Sequence, residues 1–316
     1  MKVSTTRQAN LTSRRKIAVP PRASFNAADN LKKITADFGI LQHEKINKLH
    51  GKSFHSLCDN ALALISSCKQ FQITSDPIYL KYINRYLDFI TSSQHADGVF
   101  HNKRNENSTS DSKEILEDAN GYTIWALGYL TAMHGIIPDD MVQRAETMLQ
   151  MGLVGMQTVE SKRAVALIIK GLYFYNTYAS SLAVSSLIKS LADRLSQMFL
   201  ATATKEWQWF EHNIALGDSV LPEALHCAFL DTNEYIYKDI AKASFDFLLL
   251  KTFTEFPSAS KKSRVKPARK TSDLVNIVLA LGKFFGYYKE NFYLSKINSA
   301  YSKFSDSHQF QAMQVA

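Results

Sequence analysis

The 316-residue chain predicts an all-α protein, and three observations carry that prediction. Glycine is sparse, at 12 residues, while hydrophobic residues make up 46%. Apolar residues recur at helical spacing from near Ala27 to about Phe304. No β-rich block interrupts the series.

The periodicity places helices near 27–36, 56–72, 77–94, 120–133, 139–153, 160–178, 181–200, 219–230, 234–250, 271–288 and 291–304. The second follows Asp59-Asn60 into the apolar run Ala61-Leu62-Ala63-Leu64-Ile65. In the third, Tyr79, Tyr82, Ile83, Tyr86, Leu87 and Ile90 form one stripe, with Lys81, Asn84, Arg85 and Asp88 elsewhere. Prolines mark starts at Asp76-Pro77, Pro138-Asp139-Asp140 and Leu221-Pro222-Glu223, where a first helical turn tolerates them. Long polar loops fall at 97–119, 201–218 and 251–270, and most other connections are tight. Such a series is built from stacked hairpins, either an open solenoid or a closed α/α toroid with inner and outer rings. No fixed-period repeat of the solenoid kind is present, and the unequal loops favour the toroid. The expected layout is a basic disordered tail at 1–28, one toroid domain at 29–308 and a disordered terminus at 309–316. A targeting segment is the alternative for the tail, which is rich in Ser and Thr and free of acids until Asp29.

Charge is unevenly placed. The net charge of +8 comes from Lys2, Arg7, Arg14, Arg15, Lys16 and Arg22 in the tail and from the basic run at 261–270. The rest of the chain is mildly acidic, which argues against nucleic acid as a partner. No apolar run is long enough to span a bilayer. Cys58, Cys68 and Cys227 are too few and too scattered for a disulfide framework or a zinc site. The nine histidines do not pair at metal spacing, and no nucleotide, hydrolase or zincin motif occurs. The expectation is a cytoplasmic protein without cofactor or metal.

Two stretches could carry chemistry. Asp97-Gly98 … His101-Asn102 leads to Glu117-Asp118-Ala119-Asn120-Gly121 at the head of an apolar helix. Glycosidic cleavage needs one carboxylic acid for the departing oxygen and usually a second carboxylate for water. Adjacent acids raise one another's proton affinity. A capping Asp118 is the competing reading, compatible with a chemical Glu117. The second stretch is Glu206-Trp207-Gln208-Trp209-Phe210-Glu211-His212-Asn213. Extended backbone would put Trp207, Trp209 and Glu211 on one face, a stacking surface beside a carboxylate. A core aromatic cluster with a surface Glu is the alternative. Asp59-Asn60 and Leu221-Pro222-Glu223 read more simply as helix starts, with Glu223 favoured by the helix dipole.

In order, these segments resemble a bacterial family of α/α-toroid proteins of the six-hairpin glycosidase type, found beside glycosyltransferases and mannoside phosphorylases. The matching stretches are Asp37-Phe38-Gly39-Ile40-Leu41-Gln42-His43, Leu57-Cys58-Asp59-Asn60-Ala61-Leu62-Ala63-Leu64 and Gln94 … Asp97-Gly98-Val99-Phe100-His101-Asn102. They continue with Glu117-Asp118-Ala119-Asn120-Gly121-Tyr122 … Trp125-Ala126-Leu127-Gly128, Trp207-Gln208-Trp209-Phe210-Glu211-His212 and Leu221-Pro222-Glu223-Ala224-Leu225. The resemblance covers about residues 30–250. It departs at Cys58 and His212, where the family has acids, and at Leu62 and Tyr122, where it has arginines. The family's Q-Q-P-like motif beyond 250 is replaced by Lys266-Pro267-Ala268-Arg269.

The resemblance implies a carbohydrate-sized cleft and an oligo- or polysaccharide partner, with a glycosyltransferase as a possible second one. Glu117, Asp118 and Glu211 are the candidate catalytic acids, with Glu117 or Asp118 as general acid and Glu211 as base. Asp59, Asn60, His101, Asn102, Asn120, Trp207, Trp209, His212, Gln42 and His43 are the candidate substrate-binding residues. Inverting toroid enzymes hold their carboxylates about 6.5–9.5 Å apart. Hydrolysis, phosphorolysis and epimerisation stay open, as do a weakened sugar-binding scaffold and a helical adaptor for protein or nucleic acid.

Overall fold

We describe the protein from a computed structural model, which defines residues 35–36, 39–40, 56–102, 113–154, 156–253, 265–266 and 271–305. Gln42 and His43, the tail and the greater part of the basic run at 261–270 lie outside these residues.

Ten helices follow one another among the described residues. They are α1 (Leu57–Thr74), α2 (Ile78–Ser93), α3 (Lys113–Thr131), α4 (Asp139–Gly152) and α5 (Lys162–Ala179). The others are α6 (Leu182–Thr202), α7 (Val220–Thr232), α8 (Tyr235–Phe253), α9 (Thr271–Tyr288) and α10 (Asn291–Ser305). Strands are only two residues long. β1 (Thr35–Ala36) pairs antiparallel with β2 (Gly39–Ile40), Thr35 opposite Ile40. β3 (Ile214–Ala215) pairs parallel with β4 (Val265–Lys266), Ile214 opposite Val265.

Two sequence expectations are corrected. The helix expected over 27–36 is contradicted at its end, where Thr35–Ala36 form β1 and pair with Gly39–Ile40; the remainder of that stretch lies outside the described residues. Helix α3 starts at Lys113 rather than near residue 120. Lys-Glu-Ile-Leu-Glu is a run of helix formers without a breaker, so the helix extends back through the two acids. Glu117 and Asp118 therefore project from a helix instead of capping it.

Odd-numbered helices pack on one another in the order α1, α3, α5, α7, α9, and each even-numbered helix backs onto its hairpin partner. This is an inner row with an outer row behind it. Ser56, Ser161 and Ser181 cap α1, α5 and α6, each accepting a backbone N–H three residues on. Ser75, Ser180, Asn233 and Lys289 follow α1, α5, α7 and α9 in the left-handed region, at φ 56°, 42°, 58° and 57°. Four of the five inner helices thus end on a left-handed residue that reverses the chain into the outer row.

The inner row bends until its ends meet across an axis. The Asn276 side chain on α9 lies close enough to the Tyr122 phenol on α3 to lower its pKa, and Lys69 on α1 lies in electrostatic reach of Lys170 on α5 and Lys283 on α9. An open superhelix keeps first and fifth inner helices apart; a closed ring brings them together. A continuous apolar core runs between the rows from Leu57 to Tyr293. No helix among the described residues is long and apolar enough to cross a membrane.

The tightest joint is α3 on α5, made by small residues. Gly121 lies on Ala164, and Gly128 lies on Gly171. A Cβ on Gly128 would stand 2.0 Å from the Gly171 carbonyl oxygen, and one on Gly171 would stand 2.4 Å from that of Ile124. Alanine at 128 favours helix locally by up to about 1 kcal/mol. The backbone clash outweighs it, because two helices have to move apart. Gly128→Ala is expected to lower stability by about 2–3 kcal/mol in chemical denaturation.

Candidate functional site

Hydrogen bonds tie the starts of the inner helices together at one end of the ring. The loop before α3 is fixed first. Gln94 Nε2 donates to the carbonyls of Gly98 (3.1 Å) and Met148 (2.8 Å). Gly98 is at φ +86°, and a Cβ there would meet the Met151 carbonyl oxygen at 2.1 Å. Asn120 accepts from Phe100 N–H (2.9 Å) and donates to Phe100 O (2.8 Å), so it holds the loop backbone from within α3. Asn102 Oδ1 accepts from Leu57 N–H (2.9 Å) at the start of α1. His101 lies against His95, ring centroids 4.2 Å apart.

Glu117 Oε2 accepts from the backbone N–H groups of Glu160 (3.0 Å) and Ser161 (2.7 Å). It anchors the approach to α5. Asp118 accepts from Ser161 Oγ (2.5 Å) and lies 4.0 Å from Arg163 Nε. Arg163 Nη2 donates to Asp218 Oδ1 at 2.8 Å. Lys162 Nζ is 3.9 Å from Asp218 Oδ2 and pairs directly with Glu211 Oε2. The result is one chain of ion pairs, Asp118–Arg163–Asp218–Lys162–Glu211, drawn from three separate segments. Asp218 is nearly enclosed, at 4% exposure, whereas Glu211 at the far end has a side chain 42% exposed.

Tyr122 and Asn276, both buried, floor this end. Burial pushes the Tyr122 phenol up to about 12, against the pull of the nearby Arg163. It therefore keeps its proton and can donate at neutral pH. Burial pulls the Arg163 pKa down, but Asp218 first and Tyr122 next outweigh it, with Asp118 adding to them, and the net shift is upward. The guanidinium is a fixed cation.

The ring thus brings together Asn102, Glu117, Asp118, Asn120 and Glu211 from the sequence-derived set; Asp59 lies in the first turn of α1, the helix whose start Asn102 holds. It also gives several of them structural bonds. Asn60 is enclosed and donates to Ser56 O at 2.8 Å. The expected stacking surface is not presented. Trp209 is fully enclosed and packs edge-on to Phe210, and Trp207, 9% exposed, packs edge-on to Phe247 while Nε1 donates to Glu211 O at 2.7 Å. The segment is turned, with Thr204 and Trp207 exchanging backbone hydrogen bonds, so the alternation of extended chain does not apply. Burying two indoles removes a large apolar surface from water. His212 is exposed.

Lys162, Arg163, Asp218, Tyr122 and Asn276 are the site residues that sequence reading missed. One signal was present. Lys162 and Arg163 occupy a first helical turn that holds no acid, against the helix dipole. Two cations there call for carboxylates from elsewhere. Among the described residues no cluster of three or more His, Cys, Asp or Glu is arranged to hold a metal. A groove of about 400 Å³ lined by Thr91, Asp140, Arg144 and Met148 lies between α2 and α4, on the outer row and away from these acids.

No family model and no curated protein matches the chain. Solved structures do. A sugar epimerase from a ruminal bacterium aligns at TM-score 0.65 and 10% identity, over 89% of this chain and 84% of that one. Cellobiose 2-epimerase from Bacillus thermoamylovorans aligns at 0.63 and 9% identity, over 87% and 83%. The corresponding enzyme from Spirochaeta thermophila gives 0.61 and 11%, over 90% and 87%. The fold is the α/α toroid. At such identities the likeness is one of architecture. Within the toroid, the ion-pair chain occupies the end where the inner helices begin.

Proposed function

We propose that this end of the toroid is a saccharide site and that the protein is carbohydrate-active. The ion-pair chain from Asp118 to Glu211 is the observation that carries the reading. It sets alternating carboxylates and cations, with a phenol and an amide beneath, at the mouth of a ring. Sugar hydroxyls donate and accept at once, and such an array answers both. The architecture shared with sugar epimerases and a mannose isomerase supports the same reading.

Within it, Glu211 is the proton acceptor or hydroxyl ligand, because it is the most open carboxylate of the chain. Asp118 faces it from the other end and takes the second carboxylate role. Glu117 positions Ser161, and through it Asp118. A second reading, binding without turnover, is favoured by one observation: both amide bonds to Glu117 engage it away from any ligand.

NMR of the protein with manno- and gluco-configured oligosaccharides in D2O separates the outcomes. New reducing ends without C–D bonds mean hydrolysis, deuterium at C2 of an aldose means epimerisation, and a ketose deuterated at C1 means isomerisation. Ligand line broadening without products means binding alone. Asp118→Asn and Glu211→Gln are expected to lower turnover by about 100-fold or more. Absence of both binding and turnover across the panel would contradict the proposal.

A further inference from the structure

Two helical turns below the mouth, the same inward stripes carry a second polar layer. Tyr122, Arg163 and Asn276 are followed seven residues later by Tyr129, Lys170 and Lys283, a rise of about 10.5 Å. Lys69 joins them from α1, and Glu223 and Cys227 from α7. Lys170 Nζ donates to Glu223 Oε2 at 2.8 Å and sits 3.5 Å from the centroid of Trp125. Lys283 Nζ lies 3.2 Å from Glu223 Oε1 and 3.1 Å from Cys227 Sγ.

The charges in this layer do not balance. Three ammonium groups share one carboxylate. The remaining neighbours hold their protons and are neutral. Burial raises the Cys227 thiol and the Tyr173 phenol and lifts Tyr129 to about 12. Buried His226 is pulled down to about 4, chiefly by desolvation. Asp231, the next carboxylate on α7, is bound by Asn176 Nδ2 at 2.6 Å. Among the described residues Lys69 has no hydrogen bond or ion pair; its ammonium lies 5.9 Å from the centroid of the Tyr129 ring, and Glu223 acts on it only at longer range. Burial, then Lys170, pull its pKa down to about 8. A half-buried cation held beside two others, near a single carboxylate that both of them already engage, is a costly arrangement.

We propose that this layer is an anion site, in which Lys69 and Lys283, backed by Lys170, bind a phosphoryl group. The layer opens where the inner helices end. Lys69, Tyr129, Tyr173 and Lys283 are each partly exposed there, while Lys170 and Glu223 are enclosed behind them. The aromatic rim suits a phosphate carried on a sugar as well as the free ion. The argument rests on the lysines and is independent of the chemistry at the mouth.

Thermal unfolding of the full chain tests it, with inorganic phosphate against chloride at equal ionic strength. At tenfold its dissociation constant, phosphate should raise Tm by about 3 °C. Lys69→Met should raise Tm without phosphate, since it removes the partnerless cation, and should abolish the phosphate response. Lys296→Met, on α10 outside the ring, should keep the response. A larger response to glucose 6-phosphate than to phosphate would assign the group to a sugar phosphate, and an equal one to the free ion. No phosphate response beyond chloride, or a full response in Lys69→Met, would overturn the proposal.

Discussion

Replacing Arg163 by Met should lower stability by about 3 kcal/mol and abolish saccharide binding. Asp218, 4% exposed, would lose the guanidinium that meets it at 2.8 Å and keep only Lys162 at 3.9 Å. A buried carboxylate without a full counter-charge is one of the few single changes with so large an effect. Asp118 would lose its cation as well, so both halves of the ion-pair chain come apart. Tm is expected to fall by about 6 °C. Arg163→Lys keeps the charge and loses the planar fork, and should fall between the two. An Arg163→Met protein as stable as wild type would mean that Asp218 is not held as described.

Glu223→Gln should cost a similar amount and reshape the response to acid. Burial pushes the Glu223 carboxyl up; Lys170 and Lys283 outweigh it and hold it at about 2, below the ordinary 4.5. The folded state therefore binds fewer protons than the unfolded chain between those values. Stability from this group is complete above about pH 4.5 and is lost as pH falls towards 2. At neutral pH it amounts to about 3 kcal/mol. Gln leaves three lysines without a carboxylate and removes that acid-dependent part. His226 acts in the same direction at higher pH: depressed from 6.5 to about 4, it loses stability as pH falls through that window. Unfolding measured from pH 7 to pH 2 should show both steps in the wild type and only the upper one in Glu223→Gln. Two intact steps in the variant would contradict the assignment.

Much of the ring was legible in the sequence because its signal is local. The stripe Tyr79, Tyr82, Ile83, Tyr86, Leu87 and Ile90 is buried on α2, as its spacing requires. The first-turn prolines set boundaries to within a few residues, whereas the serines that cap α1, α5 and α6 went unread beside the acids. The start of α3 was missed because polarity was read as a loop where helix propensity decides. The site was legible only in part, since its partners meet across the ring. Lys162 and Arg163 call for carboxylates but nothing near them singles out Asp218, and no pattern around Trp209 separates a stacking surface from a core plug. Glu223 was read as a first-turn acid. That it sits among Lys69, Lys170 and Lys283 follows from closure of the ring, which brings α1, α5, α7 and α9 to one axis.

The central claim is that the inner-helix starts hold a saccharide, and a crystal structure of the protein with a bound oligosaccharide tests it most directly. The account predicts sugar hydroxyls within hydrogen-bond distance of Asp118, Arg163 and Glu211, above Tyr122. A sugar seated in the groove between α2 and α4, or on the outer row elsewhere, would contradict it.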